Sequence, residues 1–333
     1  MSPMSRTEWN RCRYDAKSKA GHYESYFQRA NHPTEPRGFW IRYTLFSPKG
    51  QPGAALGELW AIYFDGVRGT ITAVKEERPL SACTFSTSQL DVVVAGATLR
   101  DGALEGSAKQ GTHELGWSLQ YRGDERPLLL LPERLYRMGF PKAKALVGTP
   151  NALYSGHLDV DGVRVEVEGW VGSQNHNWGS KHTDRYAWGQ VAGFDQDSTA
   201  FLECSTARVK LGPVWTPWMT LLVLRLEGQE LALNSLVQAV RAKGTYRTFD
   251  WRFDSQTHDA RLRGHIHAPR EAFVGLRYAN PPGGAKTCLN SKLATCELTL
   301  ERRGEKTRTL VASKRAAFEI LTDATDHRVP IVA

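Results

Sequence analysis

From Gly38 onward the chain consists of short segments in which apolar and polar residues alternate, separated by Gly, Pro, Asn and Asp clusters, and no stretch sustains a helical period. A chain patterned this way buries the faces of strands, so an all-β, antiparallel fold is expected. FWIRYTLF places Phe39, Ile41, Tyr43 and Leu45 on one face and Trp40, Arg42, Thr44 and Phe46 on the other. ELWAIYFDG repeats the pattern with Trp60, Ile62 and Phe64 beside Glu58, so both faces of this hairpin are expected to be covered. Asp101-Gly102 and Asp161-Gly162 are two-residue hairpin turns. The alternation breaks over 126–148, where a leucine cluster is interrupted by Pro132 and Pro141. The expected division is a polar, loosely ordered segment 1–24, a first β-domain 25–148 ending in that crossover, and a second β-domain 149–333.

At 333 residues the chain is long enough for two such cores. No apolar run approaches the length of a membrane span, and the first 24 residues lack the apolar core of a signal peptide, so a cytoplasmic location is expected. The five cysteines are widely spaced without a CxxC pair, which argues against a disulfide framework and a thiolate zinc site. His265 and His267 would face one side of a strand, and His176 and His182 could add ligands, but no zinc-like spacing joins them and no metal is expected. The net charge of +8 is scattered as RCR, RAK, ERR and SKR. No nucleic-acid motif accompanies it; a basic rim suits an acidic lipid, with peripheral membrane contact during substrate uptake, or a carboxylate substrate. GxGxxG, GxxxxGK[ST] and GxSxG are absent, so no nucleotide cofactor and no serine-hydrolase elbow is expected.

The chemistry concentrates in Gly169–Phe194, GWVGSQNHNWGSKHTDRYAWGQVAGF, read as strand, NHNWG turn, strand. Alternation puts Tyr186, Trp188, Gln190 and Phe194 on one face and Ala187, Gly189, Val191 and Gly193 on the other. Rings with one amide are the wall of an apolar cavity. Asn175, His176, Asn177 and His182 add polar groups that must find partners if buried, and His176 shares a side with Trp178. Further on, Phe201, Glu203 and Ser205 share a strand face. Glu203 among rings would be a carboxyl whose pKa desolvation raises, a candidate proton donor near neutral pH.

GHYESYFQRANHP, GFWIRYTLFSP, ELWAIYFDG and above all GWVGSQNHNWGSKHTDRYAWGQ resemble the two-domain lipocalin-like superfamily of carotenoid 1,2-hydratase (hydroxyneurosporene synthase), and more distantly tocopherol cyclase and lipocalin-like pericyclases. The likeness runs from about Gly21 to Ser313, with only the central motif specific. It implies two lipocalin-like (calycin) antiparallel β-barrels packed together, a hydrophobic cavity and no cofactor. The family's His-x-Trp pair maps onto His176 and Trp178, and its Tyr-x-Asp pair falls on Phe201 and Glu203, so the carboxylate is kept and the tyrosine is not. The expectation is a cofactor-independent hydratase, cyclase or isomerase of a hydrophobic isoprenoid, polyketide or lipid-like molecule in a barrel cavity. Glu203, His176 and Trp178 would be catalytic. Asn175, Asn177, His182, Tyr186, Trp188, Gln190 and Phe201 would bind substrate. A non-catalytic carrier of a hydrophobic ligand is the alternative.

Overall fold

The computed structural model describes residues 4–332, of which 60% lie in strands and 7% in helices. The strands form two large antiparallel sheets with the same order of connection. In the first, a four-strand meander (His22–Asn31, Arg37–Ser47, Leu56–Asp65, Thr70–Pro79) is flanked on its His22–Asn31 side by the long hairpin Ala143–Val160 and Val163–Gly179. The second repeats this with Arg185–Ala192, Phe201–Arg208, Met219–Leu226 and Gln229–Leu233, flanked by Ala285–Arg302 and Arg308–Thr322. No sequence repeat announces this duplication, because each half needs only the alternation and not the same side chains.

Both long hairpins carry register shifts, at Val147–Tyr154 and at Ser291–Cys296, and such bulges bend strands and curl sheets. In the first sheet the curl brings Thr70–Pro79 to Ala103–Gln110, where the Lys109 amide donates to Glu76 and the Lys75 amide to Gln110. Asp161-Gly162 closes its hairpin with both residues at positive φ, as a two-residue turn requires.

The sheets part at 180–184, later than the division at 149, because Ala143–Val160 and Val163–Gly179 pair with the first sheet. The segment 126–148 is accordingly a crossover within the first sheet. It contains a two-residue strand, Leu128–Leu129, and the short helix Glu133–Tyr136, and its leucines 128, 130 and 135 are buried. NHNWG is also strand, continuing to Gly179, because its backbone pairs on both sides with His22–Asn31 and Ala143–Val160. The N-terminal segment is docked where loose order was expected. Ser5 and Glu8 form a capping box on the helix Arg6–Asn10, whose Trp9 and Asn10 are buried, with Asn10 bonded to Gln174.

Each sheet encloses a core. Phe39, Ile41, Tyr43, Leu59 and Trp170 belong to the first, and Ala187, Val191, Trp251, Leu262 and Phe318 to the second. A third cluster lies between the sheets, where Phe27, Trp40, Trp60 and Phe64 meet Leu276, Tyr278, Cys288 and Leu321. The strands from 22 to 65 are therefore buried on both faces, as the two apolar faces of FWIRYTLF and ELWAIYFDG required. The central pairing is tight: a Cβ on Gly172 would lie 1.8 Å from the Arg29 carbonyl oxygen and 2.6 Å from the Ala30 Cα. Gly172→Ala is expected to lower stability by about 1–3 kcal/mol or more in urea unfolding, because the obstacle is backbone of an inner strand that cannot give way.

Candidate active site

The faces of the two sheets that turn toward each other enclose a cavity of about 240 Å³. Its wall takes Tyr23, Phe27, Trp40 and Arg42 from the first meander, Asn175 and Asn177 from the long hairpin, and Tyr186, Trp188, Glu203, Tyr278 and Glu319 from the second sheet. The crossover closes one side with Leu130, Leu131, Leu135, Phe140 and Pro141. The site thus lies between the sheets, where a cavity within one barrel was expected. Sequence alternation separates the faces of a strand but does not say which face a curled sheet turns inward.

Glu203 stands opposite Gln190 in the strand pairing, with Trp188 two residues before Gln190 on the same face. Its carboxyl is 2% exposed and accepts hydrogen bonds from Trp188 Nε1 at 2.7 Å and Gln190 Nε2 at 2.8 Å. Burial pushes its pKa up to about 7, against the pull of these two donors and of Arg29. Gln190 is fixed on every side: its Nε2 also donates to Asn175 Oδ1, and its Oε1 accepts from Arg29 Nε and Ser173 Oγ. Arg29 is itself buried, and loss of water brings its pKa down to about 10 although the charge of Glu203 supports it. Trp188→Phe removes a donor that stabilises the carboxylate, so the midpoint of Glu203 is expected to rise further, as a titration of its carboxyl carbon by NMR would read.

His176 serves another carboxylate. Its Nε2 is 2.8 Å from Glu24 Oε1 and its Nδ1 is 2.9 Å from the Trp9 carbonyl oxygen. Burial brings the pKa of His176 down, against the pull of the Glu24 carboxylate and the Trp9 carbonyl, so the neutral ring with its proton on Nε2 donates to Glu24. Arg13 Nη1 lies 3.4 Å from Nδ1, a longer approach than that of the Trp9 oxygen. Glu24 also receives His22 Nε2 and the Arg13 amide. Burial alone would raise the pKa of Glu24, but the hydrogen bonds from His176 and His22 hold it well below the usual carboxylate range. Of the residues expected to be catalytic, His176 is thus not joined to Glu203: it reaches the cavity lining, but its ring is spent on Glu24 and Trp9 and stacks on Tyr26 at 4.2 Å.

Asn175, Asn177, His182, Tyr186 and Trp188 line the cavity, and Trp178, Gln190 and Phe201 do not. Trp178 packs with Trp9, Tyr136 and Leu146 under the Arg13 guanidinium, 3.8 Å from its ring centroid, because it follows His176 onto the face away from Asn175 and Asn177. Gln190 stands behind Glu203 as a hydrogen-bond hub. Phe201 shares the face of Glu203 but fills the cluster of Leu128, Leu130, Val147 and Val223 and does not itself line the cavity. Phe194 leaves its predicted face for the second core, because Gly193, at φ 74°, turns the chain before it. His182 is neutral, its pKa brought down to about 3 by burial and by Arg42, and its Nε2 donates to the Ala279 carbonyl. His265 and His267 do stack, at 4.5 Å, but His265 Nε2 is 2.6 Å from Asp250, and among the described residues no group of three or more metal-ligating side chains converges. Arg42, Tyr278 and Glu319 went unnoticed in the sequence; only the apolar neighbours of Arg42 on its own strand face hinted at its burial.

No family model matches the chain. An uncharacterized protein found in two strains of Mycobacterium tuberculosis is 23% identical over 290 residues, 86% of this chain and 84% of that protein. Among solved structures, kievitone hydratase of Nectria haematococca superposes with a TM-score of 0.58 at 10% identity, covering 90% of this chain and 89% of its own. CghA with Sch210972 gives 0.56 at 11%, covering 91% and 88%. An AttH-like protein of Nitrosomonas europaea gives 0.55 at 13%, covering 90% and 92%. The chain shares the fold of these proteins over nearly its whole length.

Proposed function

We propose that the protein is a hydratase, cyclase or isomerase of a hydrophobic, isoprenoid-, polyketide- or lipid-like molecule, built as two lipocalin-like barrels and working by acid–base chemistry without a cofactor. The observation that carries this reading is Glu203, a buried carboxyl that titrates near neutrality on the wall of a largely apolar cavity. In its neutral form it delivers a proton to an alkene or carbonyl; the C–H or O–H bond forms as the π bond opens, and the carboxylate left behind keeps two hydrogen bonds. In hydration, water adds to the electron-poor carbon and its surplus proton returns to Glu203. In cyclisation or isomerisation a neighbouring C–H surrenders that proton instead. Trp188 and Tyr186 bound the reacting region, and their ring faces favour positive charge. His176 forms part of the wall, its ring fixed by Glu24. The resemblance to a hydratase family and the fold shared with kievitone hydratase support this reading, and a cytoplasmic protein meeting its substrate at a membrane surface fits it.

The test is a screen of lipid and polyketide extracts against the purified chain, with bound and released molecules identified by mass spectrometry. A hydratase releases its ligand heavier by one water. A cyclase or isomerase releases it at equal mass with altered retention. Every retained ligand returning unchanged would make the protein a carrier.

A further inference from the structure

At one end of the cavity wall three buried polar atoms lie close together without hydrogen-bond partners. Trp40, Arg42 and Tyr278 are 1%, 4% and 5% exposed, and Trp40 Nε1, Arg42 Nε and the Tyr278 hydroxyl find no hydrogen-bond partner among the protein groups. The Arg42 guanidinium lies 4.3 Å from the Tyr278 ring centroid and 5.8 Å from that of Trp40, which makes the three one cluster. Its Nη2 donates to Ser25 Oγ at 2.7 Å. The nearby carboxylates are engaged elsewhere: Glu58 with Lys75 and Glu319 with Lys292, each pair at 2.9 Å. Among the described residues, none forms an ion pair with Arg42. Despite burial, the charge of Arg42 is supported by the neighbouring tyrosines and, at a distance, by Glu58 and Glu319, which raise its pKa. Its Nε and the Trp40 indole N–H can only donate, and a buried donor without an acceptor is costly, so the missing acceptor has to come from what fills the cavity.

We infer that this cluster is a subsite for an anionic oxygen, and that the substrate is an amphipathic molecule carrying a carboxylate or enolate beside an apolar body. The inference rests on the acid–base reading of the same cavity and narrows its substrate class: a pure hydrocarbon polyene would leave the Arg42 and Trp40 N–H donors buried without an acceptor. An unsaturated chain conjugated to an oxygen held at Arg42 would let charge arising from protonation or deprotonation at carbon be drawn toward the guanidinium.

The test compares 4-phenylbutyrate with 4-phenylbutan-1-ol, two probes that differ in the anionic group, by tryptophan fluorescence at about pH 6, where the probe carboxyl is ionised and Glu203 is largely protonated. The acid is expected to bind the native protein about 10–100-fold more tightly than the alcohol, the range of a charge-assisted hydrogen bond. Arg42→Leu should abolish that preference, and Arg42→Lys should reduce it while leaving the affinity for the alcohol unchanged. Equal binding of the two probes to the native protein overturns the inference, as does a preference that survives in folded Arg42→Leu. If Arg42→Leu does not fold, the decision falls to Arg42→Lys, where an unaltered ratio overturns it. The two readings fail separately. A preference for the acid alongside undiminished turnover in Glu203→Gln keeps the anion subsite and removes the acid. Equal binding alongside lost turnover does the reverse.

Discussion

Glu203→Gln is expected to lower turnover of the identified ligand by about 10²–10⁴ while its binding persists, the range for loss of a general acid. Glutamine keeps the shape and can still accept from Trp188 or Gln190, but it has no proton to give. In the native protein, the rate-limiting proton delivery should decline as pH rises through about 7, where Glu203 ionises. The same substitution has a stability signature. A carboxyl whose folded pKa is raised binds its proton more firmly in the native state, so native stability falls as pH rises from the ordinary value of 4.5 to about 7. That loss amounts to roughly 3 kcal/mol. Glu203→Gln should remove it and leave the variant more stable than the native protein above neutrality, as urea unfolding at a series of pH values would show. Unchanged turnover would end the catalytic reading.

Glu24→Gln should be the most damaging substitution of a single polar atom in the first sheet, lowering stability by about 1–3 kcal/mol or more in urea unfolding, because it breaks the buried carboxylate's hydrogen bonds from His176, His22 and the Arg13 amide. Here the pH dependence has the opposite sign. The folded pKa of Glu24 is depressed, so its contribution is fully present above the ordinary carboxylate pKa of 4.5 and is lost as pH falls below it. The native protein should therefore weaken on acidification below about pH 4.5, and Glu24→Gln should show a flatter acid limb.

The faces of the strands were readable from the sequence, and their partners were not. Trp40 and Arg42 against Ile41 and Tyr43, and Tyr186 and Trp188 against Ala187 and Val191, sort in space as their alternation sorts them, and Glu203 sits among rings as its strand face implied. Asp161-Gly162 announced a hairpin. Nothing local stated that this hairpin would add to the strand His22–Asn31 and carry the sheet past position 149. Such pairing is decided by registry between segments well over a hundred residues apart. The same distance hid the partner of His176, because Glu24 and Trp9 lie 152 and 167 residues away. A signal for the docked N-terminus was present in the Ser5-x-x-Glu8 capping box, although a box predicts a helix and not what the helix packs against.

The cavity is walled by both sheets, with Arg42 and Asn175 on one side of the joint at 180–184 and Trp188 and Glu203 on the other. Descent with modification is therefore constrained across that joint. A chimera that takes one sheet from this chain and the other from a distant relative could fold on two intact cores, yet it would inherit half of the cavity wall and half of the surroundings of Glu203. Specificity in this architecture must change by substitutions that answer one another across the gap, so lineages with new substrates should show paired changes between the two halves and not the exchange of whole modules.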